Sequence, residues 1–307
     1  MRRRPVVGTG LVLGLSIVAA FVAWAVLAPV LMPPQGDDPY IIPKDGTGFT
    51  PQPPSPAHWL GTMQDQYDVL YGLVWGTRVA FRVGLTITLG RALIGVTLGL
   101  LSGYLRGWFD ALVVQITDGF LAFPVLAAVL VMVSVFGSVV QAGQARSIRF
   151  GEDRVIHLAL VLFGWMQYAR LIRGNVMVEA EKEYVNAAVT TGARPRRVLF
   201  RHVLPNATQG LWVLVASDIG AMVTTVAALT FLGLTAPQPS ADWGMMLKFA
   251  RNWIVVGADN AFAYWYTYVP AVVAIVAFSA AWNLVGDGLR TTLDPRQYAV
   301  SARNTRS

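Results

Sequence analysis

Apolar residues in this chain fall into long blocks separated by short polar ones, and six of those blocks approach the length of a membrane span. Crossing about 30 Å of hydrocarbon takes roughly 20 consecutive apolar residues in a helix, because every backbone N–H and C=O has to be paired within the segment. The blocks run Val6–Met32, Val79–Tyr104, Phe109–Phe136, Val155–Leu171, Ala207–Leu234 and Trp265–Val285. The first follows Met1-Arg2-Arg3-Arg4. Its uncharged stretch is well beyond the roughly 7–15 residues of a signal-peptide core, so it reads as an uncleaved signal anchor. The pattern predicts an all-α, polytopic membrane protein with about six transmembrane helices. Residues 1–32 form a basic N-terminus and first span, 33–78 an external Pro-rich segment, 79–288 a core of five spans with a polar loop at 174–206, and 289–307 a tail.

Composition agrees: 55% of the residues are hydrophobic and 13% charged, against about 25% charged in soluble domains. A net charge of +7 could signal nucleic acid, but the basic residues form no stripe on a soluble face. They sit in the short segments between spans, where Lys and Arg fix orientation. Of 24 basic residues, 15 lie on the side of Arg2-Arg3-Arg4, eight lie opposite, and Arg91 falls inside a span. Both termini are therefore expected to be cytoplasmic. The absence of cysteine excludes disulfides, thiolate metal sites and cysteine nucleophiles. His58, His157 and His202 lack the spacing of a metal site. The stretch Pro29–Pro56 holds nine of the 17 prolines and reads as an extended external linker. The polar loop around Gly137–Asp153 reads as outer surface. No internal repeat and no inverted pair of Gly-broken spans is present, which disfavours common secondary-transporter layouts.

Between the fourth and fifth spans runs EYVNAAVTTGARPRRVLFRHVLPNA, residues 183–207, too polar for the bilayer and rich in helix formers. Ala180–Thr191 reads as one short helix, Gly192 suits the left-handed residue that ends it, and Pro195 suits the first turn of another. Pro205 stands where the chain would turn into the next span. Two short helices meeting at a bend make a cytoplasmic protrusion. The second carries Val198, Leu199, Val203 and Leu204 beside Arg194, Arg196, Arg197 and Arg201. Composition alone also allows a basic helix lying on anionic lipid.

Here the chain resembles the EAA loop of ABC-importer permeases, specifically the second permease of dipeptide, oligopeptide and nickel importers. The matching residues are Glu183-Tyr184, Ala187-Ala188, Gly192 and Phe200-Arg201-His202-Val203-Leu204-Pro205-Asn206, with Pro205 standing 13 positions after Gly192. Further matches run in the family's order, from Leu60-Gly61-Thr62 through Gly103-Tyr104-Leu105-Arg106-Gly107-Trp108-Phe109-Asp110 and Tyr168-Ala169-Arg170-Leu171-Ile172-Arg173-Gly174 to Asp242-Trp243-Gly244 and Leu293-Asp294-Pro295-Arg296. They cover roughly residues 58 to 296. The usual Glu of Glu-Ala-Ala is Asn186, Met63 and Gln66-Tyr67 interrupt an outer acidic and arginine pattern, and Val226 stands at an often acidic position.

The resemblance implies a permease in a prokaryotic inner membrane, with a paralogous permease as heterodimer partner, two ABC ATPase subunits and an extracytoplasmic substrate-binding protein. It implies that Glu183, Tyr184, Asn186, Ala187, Ala188, Gly192, Arg194, Arg197, Phe200, Leu204 and Pro205 form the ATPase-coupling face. No GxxxxGK[ST] loop occurs in the chain. ATP and Mg are thus expected on the partner ATPases, with no cofactor and no catalytic residue here. Charges within spans are costly and tend to face a cavity or a partner, so Arg91, Asp118 and Asp218 are candidates for the translocation path, or structural ion pairs. A secondary transporter or channel using Asp118 and Asp218 is the alternative, and it leaves the loop unexplained. Gly84, Gly90, Gly95, Gly99 and Gly103 in the second span fit close packing at a subunit interface or within the subunit equally well.

Overall fold

A computed structural model of the protein describes residues 8–141, 152–234, 239–256, 260 and 262–293. Arg2–Arg4, most of the 137–153 loop and the tail beyond Leu293 lie outside them. Among the described residues helix is the regular structure, with isolated bridges but no strand. Five helices are long and apolar enough to cross a membrane, and a sixth crossing is a bent pair.

Helix α1 (Thr9–Leu31) lies at the edge of the bundle against α12 (Trp265–Leu293), and most of its side chains face outward, as hydrocarbon requires. Pro29 supplies no N–H to the Ala25 carbonyl one turn below, and the Arg78 guanidinium donates to that carbonyl instead. Helix α2 (Val69–Leu105) starts ten residues earlier than the hydrophobic block suggested. Asp68 caps it by accepting the Tyr71 N–H at 2.7 Å, and His58 holds the same carboxylate at 2.7 Å.

The expected third span is two helices, α3 (Gly107–Leu121) and α4 (Val125–Gln141), bent by 85°. Pro124 cannot donate to the preceding turn, so the helix ends before it. The fourth is also interrupted: α5 (Glu152–Leu162) and α6 (Met166–Ala180) meet at Phe163-Gly164-Trp165. After the polar loop come α10 (Leu211–Phe231), α11 (Trp243–Val256) and α12.

Helix α2 is the axis of the bundle. Its glycines settle the choice left open above, because all five face neighbours in the same subunit. A Cβ on Gly95 would sit 2.4 Å from the Trp165 carbonyl oxygen, on Gly99 2.5 Å from that of Ala169, and on Gly103 2.8 Å from that of Arg173, so α2 and α6 touch backbone to backbone. Gly84 packs on Ile219 of α10, and Gly90 on the Val161 side chain of α5.

The Pro-rich segment is packed rather than a free linker. Ile42 and Met63 are buried in the core under it. The Tyr71 hydroxyl donates to the Pro39 carbonyl at 2.9 Å, the Trp75 indole to Met32 at 2.9 Å and the Tyr266 hydroxyl to Pro51 at 3.2 Å. Proline-rich backbone has few N–H donors, so it is held through its carbonyls by aromatic side chains at the ends of α2 and α12.

Candidate functional site

The polar loop is a folded unit packed on α6 and the C-terminal end of α2. Helix α7 (Glu183–Thr190) ends at Thr191, and Gly192 takes φ +83°. The Gly192 N–H donates to Val189 O at 3.0 Å and the Ala193 N–H to Ala188 O at 3.0 Å, the paired bonds of a Schellman ending. Pro195 opens α8 (Pro195–Arg197), which continues as a π-helical segment (Val198–Val203) and α9 (Leu204–Ala207). Pro205 is inside α9, and the turn into α10 comes later, at Thr208-Gln209-Gly210 with Gly210 at φ +77°. The widened π turn lies just ahead of Pro205, where a regular i→i−4 ladder would lack a donor.

One face of the loop is buried. Val185, Val198, Leu199, Val203 and Ala207 pack with Tyr168, Ile172 and Val176 of α6 and Leu100 of α2. Asn175 of α6 donates to the carbonyls of Ala207 and Gln209 at 2.9 and 2.8 Å. Glu179, only 5% exposed, accepts from the Tyr184 hydroxyl and pairs with Lys182 at 2.6 Å. Asn206 donates to the Tyr184 oxygen at 3.0 Å and to His202 O at 2.8 Å. Partial burial and the Glu179 carboxylate beside it raise the Tyr184 phenol above its ordinary pKa. At the base, Arg173 grips Asp110 with two bonds of 2.5 and 2.7 Å, and Arg106 reaches Glu181 at 2.9 Å.

The other face is open. Glu183, Asn186, Ala187, Arg194, Arg197 and Pro205 are exposed, as are Tyr184 and Phe200, while Ala188 and Leu204 are half-buried. Among the described residues none of Arg194, Arg196, Arg197 and Arg201 forms an ion pair. Asn186 makes one long side-chain contact, 3.5 Å to the Glu181 carbonyl.

The charges within spans separate into two places. Arg91 of α2 is buried; its Nη1 donates to Asp218 Oδ1 of α10 at 2.9 Å and its Nε to the Leu160 carbonyl at 2.8 Å. Tyr168 of α6 donates its hydroxyl to Asp218 Oδ2 at 3.0 Å. Leu160 O is the carbonyl that Gly164 would have served in a continuous helix; Gly164 N–H goes instead to Val161 O at 3.3 Å. A Cβ on Gly164 would lie 2.1 Å from Arg91 Nε, so the glycine also makes room for the guanidinium. Asp118 is elsewhere, in an exposed pair with Arg170 at 2.6 Å.

Sequence reading missed the contributions of Tyr168, Asn175, Glu179 and Lys182. Glu179 and Lys182 carried a signal, a carboxylate and an ammonium three positions apart where a helix ends beside a tyrosine. Tyr168, 50 positions from Asp218, carried none.

A multi-pass helical bundle with a folded polar unit fixed to two of its spans is the architecture of a transport permease. The chain belongs to the ABC importer permeases, the family described as binding-protein-dependent transport system inner membrane component, whose model matches residues 95–297. It is 34% identical over 296 residues to the glutathione transport system permease protein GsiD of Pectobacterium atrosepticum, covering 96% of this chain and 88% of that protein. It is 32% identical to the dipeptide transport system permease protein DppC of Alkalihalophilus pseudofirmus, over 93% of this chain and 85% of that one. To the probable D,D-dipeptide transport system permease protein DdpC of Escherichia coli it is 34% identical, over 80% and 75%.

Proposed function

We propose that this chain is the membrane subunit of an ATP-driven importer that moves dipeptides, oligopeptides or a related small solute into the cell. The observation that carries the reading is the two-faced loop 174–206, with one face locked to α2 and α6 and the other, bearing Phe200, Ala187 and four arginines, exposed. An exposed apolar and basic patch on a rigid mount suits a protein partner. Two ATPase subunits, which hold ATP and Mg, dock there, on the cytoplasmic side where both termini lie. A paralogous permease completes the pore, and an extracytoplasmic binding protein delivers the solute. The relatives named above carry glutathione and dipeptides in their names, which supports a small peptide as substrate.

In this reading the chain performs no hydrolysis; it converts ATPase closure into displacement of α6 and α10, the helices that enter and leave the loop. The loop transmits work only in so far as the ATPases bind it differently in their open and closed states. With Asn186 in the usual acidic position, docking rests on shape, on the Gly192 bend and on the Arg194–Arg201 basic face. The secondary-transporter alternative relies on Asp118 and Asp218, and each is held by an arginine. The test is reconstitution: the chain should co-purify with the ATPase and support peptide uptake into vesicles only with ATP. Uptake that proceeds without ATP would refute the reading.

A further inference from the structure

We propose that the cavity beside Arg91 and Asp218 is an intramembrane binding site for the charged termini of a zwitterionic peptide, a proposal that rests on the importer reading above. The cavity measures about 380 Å³, within the range of small-molecule sites. Its walls come from α2, α10, the α3–α4 bend and the α5–α6 break. Both helix interruptions thus border one cavity. Non-helical backbone at membrane depth persists where it lines a cavity, and membrane transporters build midplane sites from such broken helices. Arg91 lies 14 residues from the end of α2, about 21 Å along the axis.

The polar groups in the wall are few and incompletely used. The Arg91 side chain is 7% exposed. Its Nε and Nη1 are engaged, while Nη2 has no hydrogen-bond partner among the described residues and the residue lines the cavity. Gln167, on the same wall, presents an amide that likewise has no partner among them. Each Asp218 oxygen accepts one hydrogen bond and keeps a further lone pair.

Charge selects the ligand. The Arg91–Asp218 pair is neutral, and a lone anion or cation entering this cavity would leave one uncompensated charge in a low-dielectric site. A zwitterion brings none. Its carboxylate meets Arg91 Nη2 and the Gln167 amide, and its ammonium meets Asp218. Of the remaining lining only Thr225 is polar, and its hydroxyl donates to the Ala221 carbonyl of its own helix at 2.8 Å; the rest, including Leu126, Phe163 and Met222, is apolar and accommodates side chains without reading them by hydrogen bonds. The site therefore recognises what all peptides share.

The test uses the assembled transporter with its binding protein in vesicles and three probes: Ala-Ala, N-acetyl-Ala-Ala and Ala-Ala amide. The wild type should import Ala-Ala at least about tenfold faster than either blocked form, since an unpaired buried group is strongly rejected. Arg91→Leu combined with Asp218→Leu removes both charges together, and its ratios should fall at least about fivefold below those of the wild type. Gln167→Leu, which leaves the ion pair in place, should lower the Ala-Ala to Ala-Ala amide ratio by at least about threefold. The binding protein's own preference is common to all variants and cancels from the comparison. Wild-type ratios retained in the double variant, or in Gln167→Leu should the double variant fail to assemble, overturn the proposal. Lack of ATP-dependent uptake of any probe by the wild type overturns instead the importer reading beneath it.

Discussion

Gly192 offers a perturbation whose size follows from backbone geometry alone. The residue sits at φ +83°, and a Cβ placed on it would meet nothing within 4 Å. Gly192→Ala is therefore resisted by conformation and not by space, at about 1 kcal/mol, which corresponds to roughly a fivefold loss in population of the bent form. Gly192→Asn should cost less, since asparagine tolerates the left-handed region. Gly192→Pro is different in kind. Proline holds φ near −65°, roughly 150° away. It also removes the N–H that Val189 O accepts at 3.0 Å and disfavours the helix-like conformation of Thr191 before it. Together these exceed about 3 kcal/mol, enough to displace the bend almost completely.

The assay is peptide imported per ATP hydrolysed in vesicles, alongside hydrogen exchange across residues 183–207. Coupling should fall in the order glycine, asparagine, alanine, proline, with exchange rising in the same order. Proline retaining normal uptake and coupling would refute the need for the bend. Alanine failing as badly as proline would show that a side-chain clash, absent from this structure, governs the site instead.

Three further outcomes are expected. Asn186→Glu should change ATPase affinity by less than about fivefold, because an exposed ion pair contributes about 0–1 kcal/mol; titration of the ATPase onto reconstituted permease measures it, and a much larger change would restore that position as the main contact. Gly99→Ala places a Cβ 2.5 Å from the Ala169 carbonyl oxygen, so the purified protein should lose about 1–3 kcal/mol of stability; an unchanged melting temperature would mean that α2 and α6 are not in backbone contact. Tyr184→Phe takes the hydroxyl from buried Glu179, at about 1–3 kcal/mol, and should raise exchange in 183–207 while leaving the spans protected; uniform exchange throughout would contradict a local role.

Local rules made the loop legible and left the membrane cluster hidden. Gly192, Pro195 and the apolar positions 198, 199 and 203 each report conformation or burial through a short-range preference, and each has the conformation or burial those preferences imply. The bend at Pro124 carried an equally local signal, which the predominantly apolar character of Phe109–Phe136 masked. Likewise Asp68 marked the start of α2, while Arg78, a charge within that helix, suggested an outer loop. Pairing of Arg91 with Asp218 spans 127 positions, and no periodicity in one sequence encodes it. The Pro-rich segment was misread for a related reason, since a chain without regular hydrogen bonding can still be fixed when distant aromatic side chains donate to its carbonyls.

The same arrangement indicates where the bundle yields when the loop is displaced. Helices α2 and α6 touch backbone to backbone at Gly95, Gly99 and Gly103, and packed contacts of that closeness shift as a unit rather than slide. Arg91 and Tyr168 therefore travel together. Asp218 is on α10, which enters from the far end of the loop, seven residues after Leu211, about 10 Å along its axis. Helix α10 also packs on α2 at Gly84, so displacing the loop, which pulls α6 with α2 on one side and α10 on the other, loads the bonds from Arg91 and Tyr168 to Asp218 about that contact. Those bonds join side chains, which can reorganise with a small change in geometry, whereas the glycine seam cannot open without exposing backbone. The Gly164 break lies beside the guanidinium and lets α6 tilt without dragging α5. On the importer reading proposed above, an ion pair between these helices, with an unused donor facing a cavity, is placed to exchange its internal bonds for bonds to a passing zwitterion.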